Sequence, residues 1–124
     1  MPKTPRPGRP VRGSTTGRPL MALFDQLGRR QALRTICELR EGRLTFRALQ
    51  DACDGISPTV LNKRLKELRD NQLVDVKEGD GYGLTPLGHQ LGQALRPLTE
   101  WSERWAKAAS TKAAGRNRPG MTKA

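Results

Sequence analysis

Residues 57–66 carry polar side chains whose types and spacing suit contact with DNA. Thr and Asn side chains can hydrogen-bond to base edges, and Lys can pair with phosphate groups. Leucines recur between them at spacings of four and three residues, which predicts a helix with one apolar stripe. The opposite face then carries Thr59, Asn62, Lys63 and Lys66. Such a face is also typical of a helix that is merely solvated, so the flanking sequence must decide between the two.

The sequence around this helix predicts a helix-turn-helix. Ser57 can cap the free N–H groups of the first turn with its hydroxyl, and Pro58 takes the first helical position, where no N–H is needed. Upstream, residues 45–53 place three apolar side chains on one face of a shorter helix, with Thr45 as its N-cap. Gly55 stands where the chain must turn between the two helices. The second helix, over residues 57–70, is then the recognition helix, which would enter the major groove.

Two short β-prone runs after the recognition helix predict a β-hairpin, or wing. They cover residues 73–77 and 82–85, and the Asp80-Gly81 pair between them suits a tight turn. Lys77 is the only cation of the wing and stands beside two acidic residues. A wing of this charge is a poor reader of the minor groove, so most of the expected DNA binding falls to the recognition helix.

Two helices are predicted ahead of the helix-turn-helix. The first covers residues 20–27 and ends near Gly28, and the second covers about residues 29–41 and ends at Gly42. The side chains that helical spacing points inward from the second helix are Leu33, Ile36, Cys37 and Arg40. The predicted fold is therefore mainly α with a small β-hairpin.

A long apolar helix is predicted at the other end of the domain. Thr85 and Pro86 repeat the cap-then-proline start, and Leu and Trp follow at helical spacing as far as Trp105. Pro97 lies inside this helix, so a kink or break near Ala94 is expected. Its apolar stripe could belong to an intramolecular core, but it exceeds what a small winged domain can cover, which favours a dimer interface with the first helix. The residues of this predicted interface are Leu20, Leu23, Phe24, Leu27, Leu91, Leu95, Leu98, Trp101 and Trp105.

The net charge of +11 lies almost wholly at the two ends of the 124-residue chain. Residues 1–18 and 107–124 each hold five basic and no acidic side chains, whereas residues 19–106 carry a net charge of only +1. The ends have too little apolar surface to fold, which predicts a disordered basic arm (1–18), a folded domain (19–106) and a disordered basic tail (107–124). The ends could add nonspecific phosphate contacts, which we favour, or serve only to keep the protein soluble.

Catalysis has little support in the sequence. His89, the single histidine, has no Cys, His or carboxylate nearby at metal-ligand or triad spacing. We expect no enzyme activity, no metal and no cofactor. Cys37 and Cys53 are expected to be small buried residues kept reduced, with a disulfide or redox pair as the minor alternative. Because no run suits a membrane span or a signal peptide, a cytoplasmic, nucleoid-associated protein with no membrane partner is expected.

Residues 20–105, which are 86 of the 124, resemble the HxlR-type family of bacterial winged helix-turn-helix transcriptional regulators. The resemblance rests on the segments GISPTVLNKRLKEL and LTPLG and on the terminal Leu-rich helix with Trp101. It implies a homodimer, joined through its N- and C-terminal helices, that sets two recognition helices into successive major grooves of a roughly palindromic operator. The resemblance and the side-chain chemistry together assign DNA contact to Ser57, Thr59, Asn62, Lys63, Arg64, Lys66 and Lys77.

The chain departs from the family pattern at three places. No Cys precedes the first helix, where some members carry a thiol that senses oxidants or electrophiles, so a thiol switch of that kind is not expected. The usual GGKW segment is here GRRQ, and its two cations, Arg29 and Arg30, could contact phosphates. Gln72 stands where a Gly commonly follows the recognition helix, so Asn71 is expected to take the left-handed conformation instead.

The leading hypothesis is a homodimeric, sequence-specific DNA-binding transcriptional regulator. Its partners would be double-stranded DNA, a second copy of the chain and, as a further candidate, an unidentified small-molecule effector. The alternative is a basic nucleoid-associated architectural protein that binds duplex DNA with little sequence preference. The two basic ends of the chain suggest this alternative. A winged-helix module that recruits a protein through its exposed face is a third hypothesis.

Overall fold

The computed structural model describes the backbone of residues 4–11, 15 and 17–117, and the side chains of these residues as far as 111. The described part of the chain forms, in order, α1 (Pro19–Leu27), α2 (Ala32–Glu38), α3 (Phe46–Ala52), α4 (Pro58–Asp70), β1 (Val74–Lys77), β2 (Gly81–Leu84) and α5 (Pro86–Asn117). The chain divides into two compact units, residues 1–92 and residues 93–124. The mainly helical fold with one antiparallel hairpin confirms the predicted fold class. None of the described helices is both long and apolar enough to cross a membrane.

The first unit has an apolar core formed by the inward faces of its helices and the hairpin. Leucine is its most frequent member, which fits a chain with few aromatic residues. Phe46 and Tyr82 pack against this core with their ring centroids 6.4 Å apart. The buried apolar residues of the core are Ile36, Leu39, Leu49, Cys53, Ile56, Leu61, Leu65, Leu68, Val74 and Leu84.

Helix α2 is shorter than predicted and turns a different stripe inward. Gln31 at its N-cap has a left-handed φ of +65°, so the helix begins only at Ala32. Thr35 is buried and donates its hydroxyl to the Gln31 carbonyl at 2.7 Å, which lets a polar residue occupy the inward face. Of the predicted inward stripe, only Ile36 enters the core. The other predicted members are exposed, namely Leu33, Cys37 and Arg40.

The turn of the hairpin differs by one residue from the prediction. Strands β1 and β2 pair antiparallel with Lys77 opposite Gly81, so the loop consists of residues 78–80. Gly79 and Gly81 have left-handed φ values of +84° and +85°, which a residue with a side chain rarely adopts. Gly81 therefore opens β2, whereas the sequence places it within the turn.

The hairpin is held to the loop ahead of α3. The Leu44 N–H donates to the Tyr82 carbonyl at 3.0 Å, and the Leu44 carbonyl accepts the Tyr82 N–H at 2.8 Å. The Arg43 guanidinium donates to the Gly81 carbonyl at 2.9 Å and pairs with Asp75 of β1. These main-chain and charged contacts fix the position of the wing.

Helix α5 begins as the sequence predicts but continues farther. Thr85 caps it, because its hydroxyl accepts the Gly88 N–H at 3.0 Å. Pro97 lies inside the helix without ending it, so α5 is not broken near Ala94. The other predicted outcome, a kink near Ala94, stays a prediction. The helix also continues beyond residue 106, where the sequence predicts a disordered tail, because the alanine-rich segment 106–114 has strong helix propensity.

Candidate nucleic-acid interface

The two helices of the helix-turn-helix begin with the predicted caps. The Ser57 hydroxyl accepts a main-chain N–H of the first turn of α4 at 3.2 Å, and Pro58 holds the first helical position. The Thr45 hydroxyl does the same for α3 at 3.1 Å. Between the helices, Asp54 and Gly55 have φ values of +61° and +71° and form the tight turn. An accepting hydroxyl keeps its own hydrogen to donate, so Ser57, which is exposed, can cap the helix and still contact a partner.

Helix α4 has one buried face and one exposed polar face. The buried face consists of Leu61, Leu65 and Leu68, none of them more than 2% exposed. The side chains of the opposite face are all exposed, and they are Thr59, Asn62, Lys63 and Lys66. Lys63 has no ion-pair partner among the described residues, and Lys66 has one 3.4 Å contact with Asp70 although its side chain is 77% exposed. This face can therefore meet a partner that offers hydrogen-bond acceptors and negative charge.

Arg64 lies on the flank of α4 and is held inside the protein. Its Nε donates to the Arg30 carbonyl at 2.8 Å, and its Nη1 pairs with Glu67 at 2.7 Å. The Arg64 side chain is only 12% exposed. The prediction that Arg64 faces DNA is therefore wrong in this structure, because two hydrogen bonds direct the guanidinium toward the protein.

Arg64 belongs to a buried polar cluster that the sequence does not predict. Glu67 is its centre and pairs with Arg29 as well as Arg64, each at 2.7 Å. Gln26 of α1 approaches Glu67 at 3.5 Å, and Asp25 lies 3.6 Å from Arg29. The cluster joins two carboxylates to two guanidinium groups and ties α1 and the following loop to α4. Arg29 is consequently a structural residue and not a phosphate contact.

Helix α4 ends with Gln72, not Asn71, in the left-handed conformation. Gln72 has φ +62°, whereas Asn71 has φ −89°. The N–H groups of Gln72 and Leu73 both donate to carbonyls of the last turn at 2.9 Å, the pattern of a Schellman motif. The Asn71 amide donates instead to the Gln26 side chain at 3.0 Å and to the Pro5 carbonyl at 2.8 Å. Part of the arm that the sequence predicts to be disordered thus contacts the end of α4.

The wing offers little positive charge. Lys77 is exposed at the end of β1, and the exposed Glu78 and Asp80 follow it in the loop. Arg43 also lies beside the hairpin, but its guanidinium is engaged by Asp75 and a main-chain carbonyl. Lys77 therefore stands on a different element from the polar face of α4 and can supply at most a single cationic contact.

Much of the predicted dimer interface is exposed apolar surface. The side chains that are 50–61% exposed are Leu20 and Phe24 of the first unit and Leu98, Trp101 and Trp105 of the second. Trp101 and Trp105 stack, with ring centroids 6.0 Å apart and an interplanar angle of 8°. Of the remaining predicted residues, Leu23 and Leu95 are half-buried, and Leu27 and Leu91 pack against the core. Leu27 and Leu91 thus differ from the prediction, because they stabilise the first unit itself.

The two cysteines have different environments. Cys53 is fully buried, and burial raises the pKa of its thiol above the ordinary value. Cys37 is exposed, contrary to the prediction, because α2 turns another stripe inward. Within the residues that the structure describes, no three His, Cys, Asp or Glu side chains are grouped so that they could hold a metal ion.

The arrangement is that of the winged helix-turn-helix class of DNA-binding proteins. It consists of a capped helix, a tight turn, a second helix with an exposed face of Thr, Asn and Lys, and a hairpin that follows. Residues 26–110 match the model of the HxlR-like helix-turn-helix family. The chain belongs to this family and is a DNA-binding transcriptional regulator.

Relatives agree with this assignment. Over 92 residues the chain is 29% identical to an HTH-type transcriptional regulator of Methanocaldococcus jannaschii, covering 71% of this chain and 86% of that protein. The quinone-bound structure of YodB from B. subtilis has a TM-score of 0.64 at 28% identity, covering 68% and 96% of the two chains. A structure from Thermoplasma volcanium, described as a possible HxlR family transcriptional factor, has a TM-score of 0.61 at 29% identity, covering 68% and 82%. The predicted family and the winged helix-turn-helix fold are confirmed.

Proposed function

We propose that the protein acts as a homodimer that reads a roughly palindromic operator through α4. The observation that carries this proposal is the exposed polar face of α4 opposite its buried leucines. Thr59 and Asn62 can hydrogen-bond to base edges, and Lys63 can reach a guanine edge or a phosphate. These residues lie in the first half of the helix, which helix-turn-helix proteins place deepest in the major groove. Ser57, Lys66 and Lys77 would add contacts to the backbone.

A second copy of the chain is the proposed cover for the exposed apolar side chains of α1 and α5. Half-exposed tryptophan and phenylalanine are costly in water and are typical anchors of protein interfaces. A two-fold dimer would present two copies of α4 to half-sites about one helical turn of DNA apart. A small-molecule effector is also part of the proposal, supported by the quinone-bound structure of YodB from B. subtilis.

The decisive experiment is a selection of DNA from a randomised library by the full-length protein. Wild type should enrich a motif with two-fold symmetry. The Asn62→Ala, Lys63→Ala double variant should lose that motif and bind the selected site about thirtyfold more weakly or worse, because it removes two contacts that contribute about 1–3 kcal/mol each. The matched control is Gln93→Ala, Arg96→Ala, which removes an exposed amide and an exposed cation from α5 outside the basic tail. Wild type that enriches no motif, or a double variant that retains it, would contradict the proposal.

Removal of the stacked tryptophans should break the dimer. Sedimentation velocity at low micromolar concentration should show wild type as a dimer and the Trp101→Ala, Trp105→Ala variant mainly as a monomer, since each interface tryptophan can contribute about 2 kcal/mol or more. The Glu100→Ala, Glu103→Ala variant changes two exposed polar residues of the same helix and should remain dimeric. A wild-type protein that sediments as a monomer would exclude the homodimer.

A further inference from the structure

We propose that residues 6–9, here called the arginine turn, form a second DNA-contacting element that binds backbone phosphates beside the site of α4. This inference rests on the proposed placement of α4 in the major groove. The sequence of the turn, Arg6-Pro7-Gly8-Arg9, places an arginine at each end. Its partner is the phosphate backbone of duplex DNA.

The arginine turn has a defined backbone. The Arg9 N–H donates to the Arg6 carbonyl at 3.3 Å, and Gly8 has φ +84°. Proline at the second position is common in a type II turn, and glycine supplies the positive φ that such a turn requires at the third. The Gly8 N–H also donates to the Gly17 carbonyl at 2.9 Å, which closes the segment back toward α1. The two arginines are thus presented by one short, locally stabilised element.

Two contacts anchor the arginine turn to the C-terminal end of α4. The Asn71 amide donates to the Pro5 carbonyl at 2.8 Å, and the Thr4 hydroxyl lies 3.4 Å from an Asp70 carboxylate oxygen. Pro5 is itself buried. Because Arg6 follows Pro5 directly, these anchors hold the turn close to the last turn of α4.

One of the two anchoring residues, Asp70, lies on the side of α4 that faces DNA in the proposed complex. Asp70 follows Lys63 by seven residues, which is two helical turns, so the two side chains project in nearly the same direction, about 10 Å apart along the axis. The major groove is about 12 Å wide. An element about 10 Å along the helix from the base-contacting residues is therefore expected near the phosphates that border the groove.

The arginines are suited to bind phosphate. Arg6 and Arg9 are exposed, and neither side chain has a hydrogen-bond or ion-pair partner among the described residues. Residues 1–18 contain no acidic side chain that could neutralise them locally. The planar guanidinium donates two parallel hydrogen bonds to phosphate oxygens, so each arginine can neutralise one phosphate.

The test measures the salt dependence of binding of the full-length Arg6→Ala, Arg9→Ala variant. Dissociation constants for the selected site and for a random duplex would be measured between about 50 and 200 mM salt. The slope of log affinity against log salt should fall in magnitude by about 1.8 per protomer, because each phosphate contact contributes about 0.9. The loss should be similar for both duplexes, since phosphate contacts carry no sequence information. The control Arg96→Ala, Arg104→Ala removes the same charge from exposed positions of the second unit, outside the basic tail, and should leave the slope close to that of wild type.

A second variant tests the anchor without changing any charge. Asn71→Ala removes the hydrogen bond to Pro5, together with the one to Gln26, and should weaken binding several-fold at every salt concentration, because the turn must then be ordered on binding. Thermal unfolding of the variant shows whether it is folded at the temperature of the measurement. The inference is overturned if the double arginine variant changes the slope no more than its control, or if Asn71→Ala binds like wild type. A wild type that enriches no motif but keeps the arginine-dependent slope on random duplex would overturn the proposed operator and support the arginine turn.

Discussion

Replacement of Glu67 by alanine is expected to lower the free energy of unfolding by about 3 kcal/mol, because removal of one partner from a buried ion pair leaves uncompensated charge inside the protein. Both Arg29 and Arg64 lie 2.7 Å from a Glu67 oxygen, and their side chains are only 7% and 12% exposed. Arg29 keeps Asp25 at 3.6 Å, which places the expected loss at the lower end of the usual range of about 3–5 kcal/mol. Urea denaturation of the variant and of wild type measures the difference.

An exposed ion pair provides the matched control. Glu38 pairs with Arg34 at the same distance of 2.7 Å, but the Arg34 side chain is 42% exposed. Exposed pairs contribute about 0–1 kcal/mol, so Glu38→Ala should cost much less than Glu67→Ala. Glu67→Gln keeps the shape and one acceptor oxygen and should fall between the two. Equal losses for Glu67→Ala and Glu38→Ala would contradict a structural role for the buried cluster.

The parts of the fold that the sequence predicts correctly are those encoded by local chemistry. Ser57, Thr45 and Thr85 each cap a helix through a hydroxyl that accepts an N–H three residues later, and this pattern depends only on neighbouring residues. The two faces of α4 follow from the spacing of its leucines, because that helix packs through a single stripe. The exposed polar face of α4 remains the predicted DNA site, and most of the predicted contact residues lie on this helix.

The parts that the sequence does not predict depend on contacts between distant residues. Arg64 is on the predicted contact list because its type suits DNA, but its direction is set by Glu67 and by the Arg30 carbonyl, which only the tertiary fold brings near. Apolar periodicity predicts the inward stripe of α2, but it cannot show that Thr35 satisfies its hydroxyl inside the helix and is buried. The contact between Asn71 and Pro5 joins residues 66 apart in the sequence and leaves no local signal.

Gly88→Ala is expected to destabilise the protein by about 3 kcal/mol, although alanine is normally the better helix residue. Gly88 lies in the first turn of α5, where a Cβ would stand 2.1 Å from the Leu73 carbonyl oxygen and 3.3 Å from the Leu84 Cβ. The Leu73 carbonyl also accepts the Thr85 N–H at 3.1 Å, so it cannot move without loss of that hydrogen bond. The glycine of the LTPLG segment thus permits the close approach of α5 to the chain between α4 and β1.

Gly92→Ala in the same helix is expected to have the opposite effect. The comparison therefore separates the effect of the close approach to Leu73 from that of helix propensity. The nearest atoms outside the helix backbone that a Cβ at Gly92 would meet are side-chain atoms of Arg40, at 3.7 Å or more, which is ordinary contact distance. Gly92→Ala should therefore stabilise the protein by about 0.5–1 kcal/mol through the reduced entropy of the unfolded chain. Thermal and urea unfolding of the two variants should shift in opposite directions from wild type. Shifts of the same sign would mean that helix propensity, and not the approach to Leu73, determines the need for glycine at position 88.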